Sequence, residues 1–243
     1  MNERKKIADD INKNVKFNID ESKIIISESD KKRIEKNCKI MNKKGLPYNS
    51  EMKLIPFDAI VKIKSKEEIA KEMVKEYIVA HKAVNKLQGV SDMEDQEFIT
   101  TVMKYQPTPE ILSVLSQISK GEVDDINLNE LAYLYERVNV YMWILGLGYK
   151  PLPNKQCFAA GITMQISKYT NMDDLISKSK MISNEEIMEY ADLITRYEWA
   201  MIELNQKGIK SKHINVDSVT EQKQAIDWVT SFSADMLLKT SEM

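Results

Sequence analysis

Three tryptophans constrain the fold of this 243-residue chain more than any other feature, because each lies in a stretch with helical periodicity. These stretches cover residues 136–146, 190–200 and 221–229. The first two are apolar over much of the helix circumference, which is typical of central helices that neighbours cover on several sides. A tryptophan also buries a large area and carries one N–H that needs a partner. The sequence therefore predicts a mainly α-helical protein with one shared core.

Start and stop signals divide the chain into helices. Ser65 and Ser183 each precede a glutamate at the third helical position, which is the capping-box pattern, and Pro109 stands at a first helical position. Glycines that follow periodic segments are typical of helix C-termini, and they are Gly45, Gly89, Gly121, Gly146 and Gly208. We predict helices at 29–43, 66–88, 92–105, 109–119, 128–146, 156–168, 184–206 and 218–238.

The N-terminal segment has a different pattern. Val15, Phe17 and Ile19 alternate with polar residues, which favours a strand over a helix. We therefore predict a single-domain multi-helix bundle over residues 29–243, preceded by an extension or small β-hairpin over residues 1–28. Residues 46–63, which contain Pro47 and Pro56, are predicted to be an extended crossing segment.

Composition predicts a soluble cytoplasmic protein. Hydrophobic residues make up 43% of the chain and charged residues 30%, and the longest apolar run, 138–149, is too short to cross a membrane. No apolar segment follows the charged N-terminus, so no secretory signal is expected. Cys38 and Cys157 form no disulfide framework, and we expect both to be reduced packing residues rather than nucleophiles.

The same composition argues against several classes of ligand. His81 and His213 are far apart and have no partner at metal-ligand spacing, so no metal is expected. The glycine pair at 146–148 lacks the spacing of a phosphate loop, and no cofactor is implied. Residues 1–44 carry 13 basic against 8 acidic residues, but no aromatic lies between Lys31 and Lys44. We therefore do not expect nucleic-acid binding.

Arginines and carboxylates in the central helices form the one constellation with chemical potential. Asp192 and Arg196 are four residues apart and share a helix face, and Trp199 is within cation–π reach of Arg196. If the two central helices pack together, Arg137 and Arg196 can meet Glu136, Asp192 or Glu198. Two interpretations stay open at this point: structural ion pairs that fasten the helices, or a charged pocket with perturbed pKa values.

These interpretations lead to two functional hypotheses. The leading one is a helical binding or interaction protein without catalytic activity, which acts on a protein partner through a groove or helical face. The alternative is a hydrolase-like enzyme that binds a small anionic ligand. Its catalytic candidates would be Glu136 and Glu198, with a binding set of Arg137, Arg196, Asp192, Trp143 and Trp199. The sequence does not determine whether the protein is an enzyme, nor its oligomeric state.

Several short motifs follow one another along the chain in the order that a known family shows. An E-R-x-x-x-x-x-W-x-L-G pattern is matched by Glu136, Arg137, Trp143, Leu145 and Gly146. A later arginine-tryptophan-alanine pattern is matched by Arg196, Trp199 and Ala200, and a last one by Glu221, Ala225 and Trp228. Gly45-Leu46-Pro47 and the stretch from Ser65 to Ala70 match an N-terminal pair of motifs. Together these resemble the mainly bacterial family catalogued as domain of unknown function 4272, over about residues 30–240.

The resemblance implies a helical cytoplasmic protein and no particular reaction. Three positions depart from the family pattern. Glu198 stands where the family tends to have histidine, Gln222 where it tends to have arginine, and Thr195 where it tends to have tyrosine. If that histidine were catalytic in relatives, this chain would lack it.

Overall fold

The computed structural model describes residues 26–50, 52 and 61–230, and this part of the protein is mainly α-helical, without a β-strand. The helices are α1 (Glu28–Lys43), α2 (Lys66–Leu87), α3 (Asp92–Val102), α4 (Pro109–Lys120), α5 (Asp125–Ala132), α6 (Leu134–Ile144), α7 (Ala159–Ile166), α8 (Met172–Lys178), α9 (Asn184–Gln206) and α10 (Val216–Val229), with a 3₁₀ turn at Met103–Tyr105. The predicted N-terminal hairpin falls almost entirely outside the described residues, and so does much of the extended segment at 46–63.

Capping chemistry sets most of the helix ends. Ser65 and Ser183 form complete capping boxes at the starts of α2 and α9, as predicted, and Ser27 forms another at the start of α1. Pro109 occupies the first turn of α4. The glycines predicted to end helices have left-handed backbones, with φ between 64° and 72°. Local sequence signals are therefore sufficient to place these boundaries.

One predicted helix, at 128–146, is two helices in the structure. α5 starts at Asp125, because the side chain of Asp124 accepts a hydrogen bond from the N–H of Asn127 at 2.8 Å. The chain then turns at Tyr133, whose carbonyl accepts from the N–H of Glu136 at 2.9 Å. This three-residue spacing interrupts the regular ladder of α-helical hydrogen bonds. The prediction of one continuous helix is therefore wrong.

Three further helices differ from the prediction. α7 starts at Ala159 rather than at 156, so Cys157 precedes the helix instead of lying in its first turn. α8 lies where no helix is predicted, although the side chain of Asn171 caps it by accepting from the N–H of Asp174. α10 begins at Val216 because Asn215 caps it, and its predicted continuation beyond residue 230 falls outside the described residues.

The helices pack in a continuous series. α1 contacts α9, α9 contacts α10, α10 contacts α6, and α6 contacts α2, which is further covered by α4, α5 and α8. One hydrophobic core runs through this series and includes Met41, Met73, Val140, Ile194 and Ile226, all with no exposed surface. Within the described ranges, no helix is long and apolar enough to cross a lipid bilayer.

The C-terminus of α6 is fixed against the segment that leads into α9. The N–H groups of Lys180 and Ile182 donate to the carbonyls of Leu145 and Ile144 at 2.9 and 3.0 Å. Gly146 follows with a φ of 69°, and a Cβ atom there would lie 2.3 Å from the Lys180 carbonyl oxygen. This glycine is needed both for its left-handed backbone and for the close approach of the two segments.

Gly146→Ala is therefore expected to lower the free energy of unfolding by at least about 2 kcal/mol, since a backbone penalty adds to a steric clash. Gly208→Ala is the matched control, because Gly208 has a φ of 68° but no atom within 4 Å of an added Cβ. That change should cost only about 1 kcal/mol. Urea denaturation of both variants measures the difference. Equal losses would contradict the role of the Lys180 carbonyl.

Candidate functional site

The charged residues singled out in the sequence lie in separate environments, and the most enclosed is the Arg196–Asp192 pair. Arg196 Nε and Nη2 donate to the two carboxylate oxygens of Asp192 at 2.9 and 3.1 Å, and Nη1 donates to the Asn49 carbonyl at 2.8 Å. Asn37 on α1 donates to Asp192 at 2.6 Å. Arg196 is 1% exposed and Asp192 is fully buried. This geometry matches the structural ion-pair interpretation, with the pair enclosed between α1 and α9.

Arg137 lies in a second cluster, between α2, α6 and α10. Its guanidinium donates to Glu221 and Gln224 on α10 and, at 3.3 Å, to Oε1 of Glu76 on α2. Burial raises the pKa of Glu76 to about 7; Arg137 opposes this rise, and the carboxylates of Glu72 and Glu221 add to it. The other oxygen of Glu76, Oε2, is buried and has no hydrogen-bond partner among the described residues.

Glu136 points away from its neighbour Arg137 and forms a third environment. One carboxylate oxygen accepts from the backbone N–H of Cys157 at 2.6 Å and from Ser218 Oγ at 3.1 Å. The other accepts from Gln222 Nε2 at 2.9 Å, and the Gln222 carbonyl in turn accepts from the Tyr190 hydroxyl. Glu136 is 1% exposed. The buried carboxylate thus fastens the 147–158 loop to α6 and α10.

Cys157 shares this environment. Burial raises the pKa of the Cys157 thiol, and the nearby carboxylate of Glu136 raises it further. A cysteine needs the thiolate form to act as a nucleophile, and both influences oppose that form.

The remaining candidates also lie apart. Glu198 has a side chain 37% exposed on α9, with Lys223 Nζ 3.8 Å from its carboxylate. Trp143 packs edge-on against Tyr190, with ring centroids 4.9 Å apart, whereas Trp199 is partly buried on α9.

Two cavities, of about 560 and 630 Å³, are lined by residues other than these candidates. In the part of the chain that the structure describes, no cluster of three or more His, Cys, Asp or Glu could hold a metal.

A surface of a different kind forms where two loops meet. The N–H of Asn215 donates to the Pro153 carbonyl at 2.8 Å, which joins the 147–158 loop to the 207–216 segment. Exposed apolar side chains stand on both sides of this junction: Leu152 is 55% exposed, Phe158 75% and Val216 46%. We call residues 147–158 and 207–216 the paired-loop face.

The paired-loop face is also positively charged. Neither loop contains an aspartate or a glutamate. Lys155, Lys210 and Lys212 are exposed, and in the described residues no carboxylate forms an ion pair with any of them. Lys150 contacts Glu189 at 3.7 Å, and Lys207 contacts Glu203 at the same distance. The face therefore combines apolar side chains with three unneutralised cations.

A family model described as domain of unknown function (DUF4272) matches residues 31–236. The chain belongs to this family. No curated protein and no solved structure gives a significant match. The structure gives physical roles to residues that carry the sequence resemblance: Glu136 and Arg137 bind α10 from α6, and Gly146 allows the close approach of the segment before α9.

The three residues noted above as departures from the resemblance each have a partner within the protein. Gln222 uses both ends of its amide, because it donates to Glu136 and accepts from Tyr190. Thr195 is buried and donates to the Ala191 carbonyl of its own helix at 2.8 Å. Glu198 faces Lys223 on α10.

Two features were missed in the sequence. The paired-loop face joins segments that are distant in sequence. The sequence pattern that could have indicated it is that each loop contains lysines but no aspartate or glutamate. Glu76 was missed as the partner of Arg137, because on α2 it reads as one more polar residue beside the apolar stripe. Its burial depends on the packing of α6 and α10, which local patterns do not encode.

Proposed function

We propose that the protein is a non-catalytic binding protein, and that its paired-loop face captures a segment of a partner protein rich in acidic and apolar side chains. One observation carries this proposal: exposed apolar side chains and unneutralised lysines occur on the same two joined loops. Exposed apolar groups that lie together are typical of interaction sites. Complementary charge would orient the partner and accelerate its association.

The unneutralised lysines of the paired-loop face favour an acidic partner. Lys155, Lys210 and Lys212 would remain without counterions beside an apolar or basic partner, but carboxylates of an acidic segment would neutralise them. Leu152 and Phe158 offer contact area that a purely acidic chain would leave exposed to water. An acidic segment with apolar side chains at intervals satisfies both requirements.

An anion-binding hydrolase, the alternative reading of the sequence, has less support. Its two catalytic candidates, Glu136 and Glu198, and its two arginines, Arg137 and Arg196, are dispersed, and neither cavity is lined by any of these four. We also propose that the protein lies in the cytoplasm, where the free thiols of Cys38 and Cys157 would stay reduced.

Two synthetic helical peptides test the proposal by calorimetry. Both carry the same leucines and phenylalanines, and one has glutamate where the other has lysine. We expect the wild-type protein to bind the glutamate peptide and not the lysine peptide. The double variants Leu152→Ser/Phe158→Ser and Lys155→Glu/Lys212→Glu should each weaken binding by about tenfold or more.

Matched variants elsewhere separate the face from general surface effects. Ile126→Ser removes a side chain that is 73% exposed on α5, and Lys168→Glu reverses an exposed charge after α7; both should leave binding unchanged. The proposal is overturned if wild type fails to bind the glutamate peptide or binds both peptides equally. Tighter binding of a single-stranded oligonucleotide or of anionic vesicles would also overturn it.

A further inference from the structure

A cavity of about 630 Å³ lies between α2, the 3₁₀ turn at 103–105 and the first residues of α4 and α8. Its lining mixes polar and charged side chains with apolar ones, and of the apolar residues Pro107 and Met172 are partly exposed, whereas Val74, Ile78, Tyr105 and Ile111 are buried. The volume is in the range of small-molecule sites, which are mostly apolar with a few placed polar groups. This cavity has no residue in common with the paired-loop face.

Lys104 is the polar group that distinguishes this cavity. Its ammonium donates to the Tyr169 carbonyl at 2.7 Å and lies 4.9 Å from the centroid of the Tyr105 ring. Burial lowers the pKa of Lys104, and no carboxylate of the described residues forms an ion pair with it. An ammonium has three donors, so at least one remains free for an acceptor inside the cavity.

The other charged groups of the lining leave an excess of positive charge. Lys75 is neutralised by Glu72 at 2.8 Å. Lys71 is exposed and, in the described part of the chain, has no ion-pair partner. Asp173 is an exposed residue in the first turn of α8. The lining therefore has two cations without an ion-pair partner, Lys71 and Lys104, against one unpaired carboxylate, Asp173.

We propose that this cavity binds a small organic carboxylate with an aliphatic body, whose carboxylate pairs with Lys104 and whose chain lies against Pro107 and Met172. Lys104 is partly buried and has no carboxylate partner among the described residues, so an anion can pair with its ammonium while its apolar body covers the partly exposed Pro107 and Met172. Inorganic anions would neutralise Lys104 but leave these two apolar side chains exposed to water. The inference is independent of the paired-loop face.

Decanoate is the probe, and 1-decanol and decylammonium, with the same chain but no charge or the opposite charge, are its controls. Calorimetry of the 243-residue protein should detect decanoate binding, with both controls about ten- to a hundredfold weaker. Lys104→Met keeps the aliphatic stem and should weaken decanoate to the same extent, whereas Lys104→Arg should retain binding. Lys168→Met, outside the cavity, should have no effect.

Several outcomes would overturn the inference. They are the absence of decanoate binding to wild type, equal binding of decanol, and unchanged decanoate affinity in Lys104→Met. Thermal melting of each variant without ligand shows whether it is folded. If Lys104→Met is unfolded, the comparison of decanoate with decanol on wild type decides the matter alone. Failure of the peptide experiment on the paired-loop face would leave this result unaffected.

Discussion

Replacing Arg196 with alanine is expected to destabilise the fold by about 3–5 kcal/mol, because it leaves the fully buried Asp192 carboxylate without its cation. Arg196 also satisfies the Asn49 carbonyl, which would lose its donor. Chemical denaturation at neutral pH measures the loss. If the residue belonged to a solvated ligand site instead, the change would cost far less.

Two controls sharpen this experiment. Lys39→Ala removes an ion pair with the same four-residue spacing, but Lys39 and Glu35 have side chains 73% and 66% exposed, so the expected cost is less than about 1 kcal/mol. The double variant Arg196→Met/Asp192→Leu removes both charges and should be much more stable than Arg196→Ala. If Arg196→Ala and Lys39→Ala lose similar stability, the structural role of Arg196 is refuted.

Glu76 is expected to give the protein a pH-dependent stability. Its pKa of about 7 in the folded state lies above its ordinary value of 4.5. Between these values the folded protein holds a proton that the unfolded chain releases, so stability falls as pH rises from about 4.5 to about 7. The shift corresponds to a loss of about 3 kcal/mol. Below pH 4.5 and above pH 7 this residue contributes no further slope.

Glu76→Gln tests this expectation, because glutamine resembles the protonated side chain and can still accept from Arg137. The variant should match wild type near pH 4 and exceed it by about 3 kcal/mol at pH 8. Urea denaturation across this pH range measures both curves. Glu97→Gln, which removes an exposed carboxylate from α3, should follow the wild-type curve. If wild type is more stable than Glu76→Gln at pH 8, the ionised Glu76 does not destabilise the folded protein, and the expectation is wrong.

The fold was predictable where local chemistry decides it. Capping boxes at Ser65 and Ser183 and the left-handed Gly146 follow from short-range geometry, which a sequence displays directly. The division of 128–146 into two helices was not predictable, because apolar periodicity continues through Tyr133. α8 was missed since a helix of 7 residues is too short to show a periodic stripe.

Charge contacts within one helix could be predicted from the sequence, but contacts between helices could not. The spacing of Asp192 and Arg196 on one helix face correctly predicts their contact. Arg137 and Glu136 are neighbours in sequence and both contact α10, yet their other partners differ, since Arg137 binds Glu76 and Glu136 accepts from Cys157. Which charges meet depends on how α2, α6 and α10 pack. No pattern within a single helix specifies that.

An NMR titration of the ¹⁵N-labelled protein with the glutamate peptide distinguishes the paired-loop face from the internal charges as the place of binding. If the internal charges support the fold and binding occurs on the paired-loop face, the largest shift changes fall on amides of residues 147–158 and 207–216. Changes centred instead on the surroundings of Arg196, Glu136 and Arg137 would contradict the account and identify those charges as the binding site.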